Sequence, residues 1–489
     1  MAVTRSFVAP LLRIAGPVAL ARLGIIGMGL VDVVVVGQLA PDELPHQALG
    51  WAPTAVFLVA AIGLLQGVQV LAARSIGEGN KQGAGVVLRR GLILALIAGV
   101  LSALLMWLGG ERLFTFFGIE AELATPSTPV MNILALSIPL HLLYIAGTYF
   151  LEAIKKPGIS TVVMWLANGV NLALNLLWAP DLDIANTVAW ASPLYDALRE
   201  QPILNALHNL APAHGAEGSA WATVGARVFL AAAVLACIYF LRDGVTFGVR
   251  KSRGAHGHGY GALLGVGAAA AVSQAVEAGA FSAMTVIAGR ISAEVVAAYQ
   301  ILLNLMAFVF MIALGLAAAT AVLVSEAIGR QAPHESARAG WTGISLNAIG
   351  MIIAAIVILL FNESIGRAYT ADLGLAAMIA SLMWVCSLAL LPDGTQVVTA
   401  SALRARSDNW FPTFSHILAY AVVMPVLGYW LAEHQGMGVA GLLFAIFWSS
   451  VLSAAVLLWR WWSIADRPVS APVEEAPNMG LAEGEVRDR

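Results

Sequence analysis

The chain has 489 residues, of which 60% are hydrophobic and 11% charged, and its formal net charge is −3. A water-soluble domain of this size cannot hide that much apolar surface, so the solvent is a lipid bilayer. A disordered chain, a disulfide scaffold and a nucleic-acid binder are excluded: the charge leaves no basic footprint, and the two cysteines, Cys237 and Cys386, sit in apolar runs and read as inert core thiols.

A membrane span needs about 20 mostly apolar residues. Twelve such runs are predicted, over 13–37, 49–76, 88–109, 127–153, 160–180, 217–241, 260–288, 296–328, 338–361, 376–403, 411–433 and 436–463. The first contains Arg22 and Asp32 and is too long for a signal peptide. Residues 181–216 form a long outer loop, whose stretch 193–210 has the Leu and Ile spacing of an interfacial amphipathic helix. Residues 242–259 read as a basic, flexible linker, and 464–489 as a disordered acidic cytoplasmic tail.

The cations alternate between loops. The N-terminus, the even-numbered connections and the tail hold 20 of the 26 Lys and Arg residues, among them Arg74, Lys155, Lys156, Arg330, Arg404 and Arg406. The opposite loops hold only Arg112, Arg199, Arg290 and Arg367, and Arg22 and Arg227 lie inside spans. This bias places both termini in the cytoplasm of a bacterial inner membrane.

The chain also repeats itself. Gly37 and Gly77 stand 40 apart, as do Gly289 and Gly329, at an offset of 252. VVGQLAPDEL (35–44) lies over IAGRISAEVV (287–296), and GLLQGVQVLAARSIGEG (63–79) over GLAAATAVLVSEAIGRQ (315–331). LEAIKKPGIS (151–160) resembles SALRARSDNW (401–410), and GSAWATVGA (218–226) resembles GVAGLLFAI (438–446). The expected architecture is an all-α integral membrane protein of two six-helix bundles, an N-lobe over 1–241 and a C-lobe over 260–463. An even span count per half relates them by a pseudo-two-fold axis along the membrane normal. Within this register Asp32 falls on Met284 and Glu277 on Ile25; near residue 400 the offset drops to 249, which sets Asp393 over Tyr144.

Ionisable side chains inside spans are costly and usually face a cavity or a partner. Three carboxylates stand out: Asp32 in span 1, Glu277 in span 7 and Asp393 in span 10 beside Pro392. Pro392 should loosen its helix and free backbone carbonyls. A carboxyl so placed can exchange a proton, and a pair of carboxylates with hydroxyls and carbonyls can instead hold Na⁺. A cation and a cationic substrate then compete for one negative site. The alternative role is structural, through pairing with Arg22 or Arg227 or through bonds between helices. Asn168, Asn171 and Asn175 share one face of span 5 and can join Asp32 or glue helices together. Gln274, Gln300 and Gln396 are further supporting polar groups, and His141 reads as a satisfied packing residue. Phe281, Met284, Met306, Phe308, Phe310, Met311 and Tyr144 are candidate lining of a substrate cavity. No P-loop, HExxH or GxSxG signature is present, so no enzyme activity and no cofactor are expected, and a gradient must drive transport.

VDVVVVGQLA, VEAGAFSAMTVIAGRISAEVVAAYQILLN and DGTQVVTASALRARSD resemble signature stretches of the multidrug and toxic compound extrusion (MATE) family, NorM-type branch, over about residues 7–463. The resemblance implies a two-lobed exporter, open alternately to each side and working as a monomer without a nucleic-acid partner; it implies H⁺- or Na⁺-coupled efflux of hydrophobic, often cationic drugs. It implies that Asp32 is the N-lobe carboxylate tied to protonation, that Asn171 and Asn175 are the helix-5 asparagines, and that Glu277 and Asp393 bind the coupling cation. A flippase of lipid-linked precursors shares this architecture and would want a cationic cavity.

Overall fold

The computed structural model describes residues 5–116, 119–179, 214–250, 256–370 and 372–468, with positions 193, 196 and 200–202 between. The described residues form twelve helices long and apolar enough to cross a membrane. They are α1 (Phe7–Leu39), α2 (Pro41–Gly77), α3 (Lys81–Gly109), α4 (Ala121–Ala153), α5 (Gly158–Trp178), α6 (Gly215–Tyr239), α7 (Tyr260–Ile291), α8 (Ala293–Gly329), α9 (Pro333–Leu360), α10 (Leu373–Ala405), α11 (Trp410–His434) and α12 (Val439–Ile464). Every expected span is present. Several begin earlier than hydropathy suggests, because polar caps lie outside the apolar run: Asn80 Oδ1 accepts from Gly83 N at 2.8 Å, and Asp372 Oδ1 from Gly374 N at 2.8 Å. The expected interfacial helix at 193–210 and the tail beyond 468 lie outside the described residues.

The first six helices pack among themselves, with α4 against α2, α3 and α6, and α5 against α1 and α6. In the second six, α10 packs against α8, α9 and α12, and α7 against α11. The two bundles meet through α1 on α8 and α7 on α2, with α2 also on α8. The first two contacts exchange under the repeat, as a two-fold axis requires.

The structure fixes the register of that repeat. Left-handed φ occurs at Gly79 and Gln331, and at Lys155 and Ser407, each pair 252 apart. Thr161 donates to Pro17 O and to Pro157 O; Thr413 donates to Ala269 O and to Asn409 O, again 252 apart throughout. The offset therefore does not drop near residue 400. Asp393 corresponds to His141, not Tyr144, and Glu152 corresponds to Arg404. In the last helix of each lobe the offset is 223, fixed by the left-handed Gly215 and Gly438. That also replaces the register read from GSAWATVGA and GVAGLLFAI.

The lobes are sealed at the end of the helices that carries the basic loops. A methyl added to Gly77 would stand 2.1 Å from Glu326 O, and one on its equivalent Gly329 would stand 2.3 Å from Arg74 O. Gly63 and Gly315 meet the opposite lobe in the same reciprocal way, at Ala271 and Ala19. Ion pairing reinforces the seal: Lys155 to Glu326 at 2.5 Å across the lobes, and Arg74 donating to Ala405 O at 2.7 Å and Ser407 Oγ at 2.8 Å. One apolar core runs through this end, from Leu11 and Leu71 to Val322 and Leu403. Toward the far end that core continues only in the N-lobe, as far as Met106 and Phe114, beside small clusters around Val36 and Leu134, while the C-lobe packs separately around Met284 and Tyr420. The molecule is therefore open between its lobes at the end away from the basic loops. Outward apolar side chains such as Leu105, Ile353 and Trp462 face the lipid.

Of the two cysteines, Cys386 is buried and Cys237 is exposed, so only one is a core thiol; both are free. Gly77→Ala should cost the sealed state about 1–3 kcal/mol through overpacking against backbone. In a Cys237→Ser background, a cysteine introduced as Ala278→Cys in the cavity should then label more slowly with an impermeant maleimide applied from the open side. An unchanged rate would show that the close approach does not hold the seal.

Candidate functional site

Asp32 sits on α1 in the N-lobe and is fully served by its neighbours. Asn171 Nδ2 and Asn175 Nδ2 donate to Oδ1 at 3.0 and 2.7 Å, and Thr223 Oγ1 donates to Oδ2 at 2.8 Å. Such bonds to an ionised acceptor are the stronger kind. Arg227 is an electrostatic neighbour but makes no ion pair with it; its Nη1 donates to Ser137 Oγ at 2.6 Å and its guanidinium lies 5.2 Å from the Trp51 ring centre. Two of the three α5 asparagines thus converge on Asp32. Asn168 instead donates to Gly24 O and Met164 O. Asn171 and Asn175 are held one turn apart, Asn175 Nδ2 also bonding Asn171 O at 3.0 Å.

In the C-lobe, Asp393 is buried on α10, which runs on through Pro392. Lacking an N–H, Pro392 leaves the carbonyl one turn before it unserved. Asp393 Oδ1 accepts from Tyr420 Oη and Ser450 Oγ, both at 3.3 Å, and those two hydroxyls stand 3.1 Å apart. Tyr420 belongs to a π-helical stretch of α11, Ile417–Val423, an irregularity often found at functional sites. Glu277 on α7 is an electrostatic neighbour of both Asp393 and Arg404. Gln396 is fully buried against both carboxylates, with neither amide atom in a well-formed hydrogen bond. His416 Nδ1 and Ser273 Oγ are 2.6 Å apart beside this group.

Between the lobes lies a cavity of about 350 Å³. Its wall carries Glu277, Arg404, Gln274, Ser273 and His416 from the C-lobe, and Arg22, Gln66, Gln69 and Tyr149 from the N-lobe. Phe281, Phe310, Met311 and a row of alanines on α8 complete it. Asp32 is not in this wall, so the structure gathers Glu277, Asp393, Gln274 and Gln396 and leaves Asp32 as a separate centre.

Several expected residues fall elsewhere. Met284 and Met306 are buried in the C-lobe core and Tyr144 in the N-lobe core; of the seven candidate lining residues, Phe281, Phe310 and Met311 reach the cavity. Apolar type does not say which way a helical residue faces. Phe308 is exposed. Gln300 is exposed too, donating to Thr285 Oγ1 at 3.1 Å, away from Glu277. His141 is buried with neither ring nitrogen hydrogen-bonded, so it is not a satisfied packing residue. Arg404 and Arg406, counted with the loop cations, are buried at the end of α10; Arg406 donates to Ile464 O and Ala465 O beyond α12. Glu152 is a fourth buried carboxylate. It was hidden by the cations beside it, Lys155 and Lys156. Tyr420, Ser450 and Thr223 are neutral residues in apolar runs and gave no signal at all.

Among the described residues no group of three or more His, Cys, Asp or Glu could hold a metal ion. The donors around Asp393 are instead oxygens: two carboxylates, two hydroxyls and the Gln396 amide. That set suits a hard monovalent cation.

These features define a multi-pass membrane transporter with a central cavity between two lobes. The MatE family profile matches residues 17–177 and again 269–430, once in each lobe. The chain is 39% identical over 470 residues, 95% of its length, to a probable multidrug resistance protein NorM of Caulobacter vibrioides, covering 93% of that protein. It is 28% identical to multidrug resistance protein PmpM of Pseudomonas aeruginosa, over 87% of this chain and 85% of that one. A solved structure, the outward-facing conformation of a multidrug resistance MATE family transporter, matches with a TM-score of 0.79 at 19% identity, covering 93% of this chain and 95% of that one. The eukaryotic MATE transporter AtDTX14 matches with a TM-score of 0.79 at 15% identity, covering 94% and 96%. The chain belongs to the MatE family, a family of multidrug transporters.

Removing one donor from Asp32 should be felt as stability. Thr223→Val leaves Oδ2 short of a charge-assisted bond and should cost about 1–3 kcal/mol, read as a lower Tm in detergent. An unchanged Tm would mean that water replaces the hydroxyl.

Proposed function

We propose that this protein exports hydrophobic cationic compounds from the cytoplasm by antiport against H⁺ or Na⁺. The observation that carries the reading is Glu277: it lines an otherwise largely apolar cavity and is electrostatically linked to buried Asp393 and to Arg404. In the open state the carboxylate is available to whatever enters. A coupling cation binds between Glu277 and Asp393, with Tyr420, Ser450 and Gln396 supplying neutral oxygens. Its charge removes the attraction that held a cationic drug, and the drug leaves. Phe281, Phe310 and Met311 offer adaptable apolar contact, which suits many substrate shapes.

The basic loops mark the cytoplasmic side of a bacterial inner membrane. The seal at Gly77 and Gly329 then closes the cytoplasmic path, and the cavity opens outward. Both termini are cytoplasmic, and the protein works as a monomer, since each lobe supplies the other's missing wall. The names of the relatives support drug efflux; the coupling ion rests on the donor set alone.

A flippase of lipid-linked precursors is the second reading, favoured by the two arginines in the wall, Arg22 and Arg404. Each has a carboxylate for an electrostatic neighbour, Glu152 for Arg22 and Glu277 for Arg404. The wall therefore offers no free positive surface to a diphosphate.

Purified protein in proteoliposomes should move ethidium when a pH or Na⁺ gradient is imposed, each tested alone. Glu277→Gln and Asp393→Asn should each abolish that flux while leaving expression and Tm intact. Retained flux in both would remove the C-lobe cation site. No flux under either gradient, with movement of a fluorescent diphosphate lipid instead, would establish the flippase.

A further inference from the structure

The N-lobe holds a second charged pair that the C-lobe reading does not use. Glu152 on α4 is fully buried. Gln69 Nε2 on α2 donates to its Oε2 at 2.5 Å, but Oε1 has no hydrogen-bond partner. The groups facing it are Arg22 on α1, Gln69 on α2, and Tyr149 and Tyr144 on its own helix. Arg22 lies 5.6 Å from the Tyr149 ring centre, and it attracts Glu152 without forming an ion pair within 4 Å. Lys155, one turn on, is engaged with Glu326. Arg22, Gln69 and Tyr149 all line the cavity, so Glu152 stands one layer behind its wall.

Two comparisons within the molecule give this arrangement meaning. Asp32 is also a buried N-lobe carboxylate, and both its oxygens are served, by three donors. A carboxylate with only a scaffolding role is expected to be satisfied in that way, because an orphaned buried oxygen costs about 1–3 kcal/mol or more. Glu152 keeps one oxygen open. The second comparison is the repeat: Glu152 is the equivalent of Arg404, and Arg22 is the equivalent of Gln274, which lies one turn before Glu277. Each lobe therefore sets one carboxylate and one arginine in or directly behind the wall of the same cavity, on exchanged helices. The polarity is reversed, but the charge content is equal.

We propose that Glu152 is a second site for the coupling cation, a proton or Na⁺, with Arg22 as its resident counter-charge. A cation reaching Glu152 from the cavity displaces the Arg22 guanidinium from its attraction. Gln69 and the free Oε1 then hold the cation. Arg404 stands in the same relation to Glu277, so the two lobes load by the same exchange. The inference rests on the antiport reading, and its test is built to separate the two.

The test uses the full chain in proteoliposomes, with the membrane potential clamped and a tenfold gradient of whichever cation drives wild-type ethidium transport. The measured quantity is the steady dye ratio across the membrane, not the rate. Glu152→Gln should still drive transport but with the attainable dye ratio lowered about tenfold, because one cation fewer is coupled per dye molecule. The double variant Arg22→Gln/Glu152→Gln, which leaves no buried charge unpaired, should show the same lowered ratio with a wild-type Tm. It also decides the matter should Glu152→Gln alone not fold. A wild-type dye ratio in the double variant would overturn the proposal and make the pair a packing device. Absence of gradient-driven transport in the wild type would overturn the antiport reading itself, and this inference with it.

Discussion

A carboxylate or guanidinium taken out of water costs several kcal/mol unless other groups meet it. That constraint orders the interior of this protein. Asp32 is met by three neutral donors and becomes a closed polar knot between α1, α5 and α6. Asp393 is met by two long hydroxyl contacts and a buried amide. Glu277 and Glu152 are met by arginines at a distance, not in contact. The gradation runs from saturated to half-served, and the half-served groups are those nearest the cavity. A group that must exchange its partner cannot also be fully satisfied by the fold.

The fold supports this by making one end rigid and leaving the other divided. Glycines let the backbones of α2 and α8 meet where the basic loops lie, and a single apolar core continues through that contact. The far half has no such shared core. Under the proposed antiport, the glycine seal would part while a seal forms at the far end, with each lobe moving as a packed unit. The charged pairs sit between the sealed and the open regions, where a change in lobe spacing alters the attraction across the cavity most.

Much of this was legible in the sequence. Twelve spans follow from hydropathy alone, since a bilayer leaves the backbone few alternatives to helix. The repeat in its first half is readable because glycines recur at matched positions, of which Gly77 and Gly329 are fixed by close packing on the opposite lobe. Its second half reads three residues out of register: small apolar residues match each other in any register, and the left-handed Lys155 and Ser407 and the matched Thr161 and Thr413 bonds settle it. Asp32, Glu277 and Asp393 stood out because each is alone in an apolar run. Glu152 and Arg404 did not, because they stand among cations at a helix end and look like loop charges. The neutral partners Tyr420, Ser450 and Thr223 acquire meaning only from position. Met284, Met306 and Tyr144 have the right chemistry for a cavity and face the wrong way.

The offset between the lobes stays at 252 from α1 through α5 and becomes 223 only in α6. All of the length difference between the two halves therefore falls in one connection, the segment between Trp178 and Gly215, at the open end. The reciprocal contacts at Gly63, Gly77, Gly315 and Gly329 lie within helices at the sealed end, far from this connection. The seal thus constrains side-chain size where the lobes touch and leaves the length of this connection open. Matched positions elsewhere carry different residues, even of opposite charge, as at Glu152 and Arg404, without disturbing the seal.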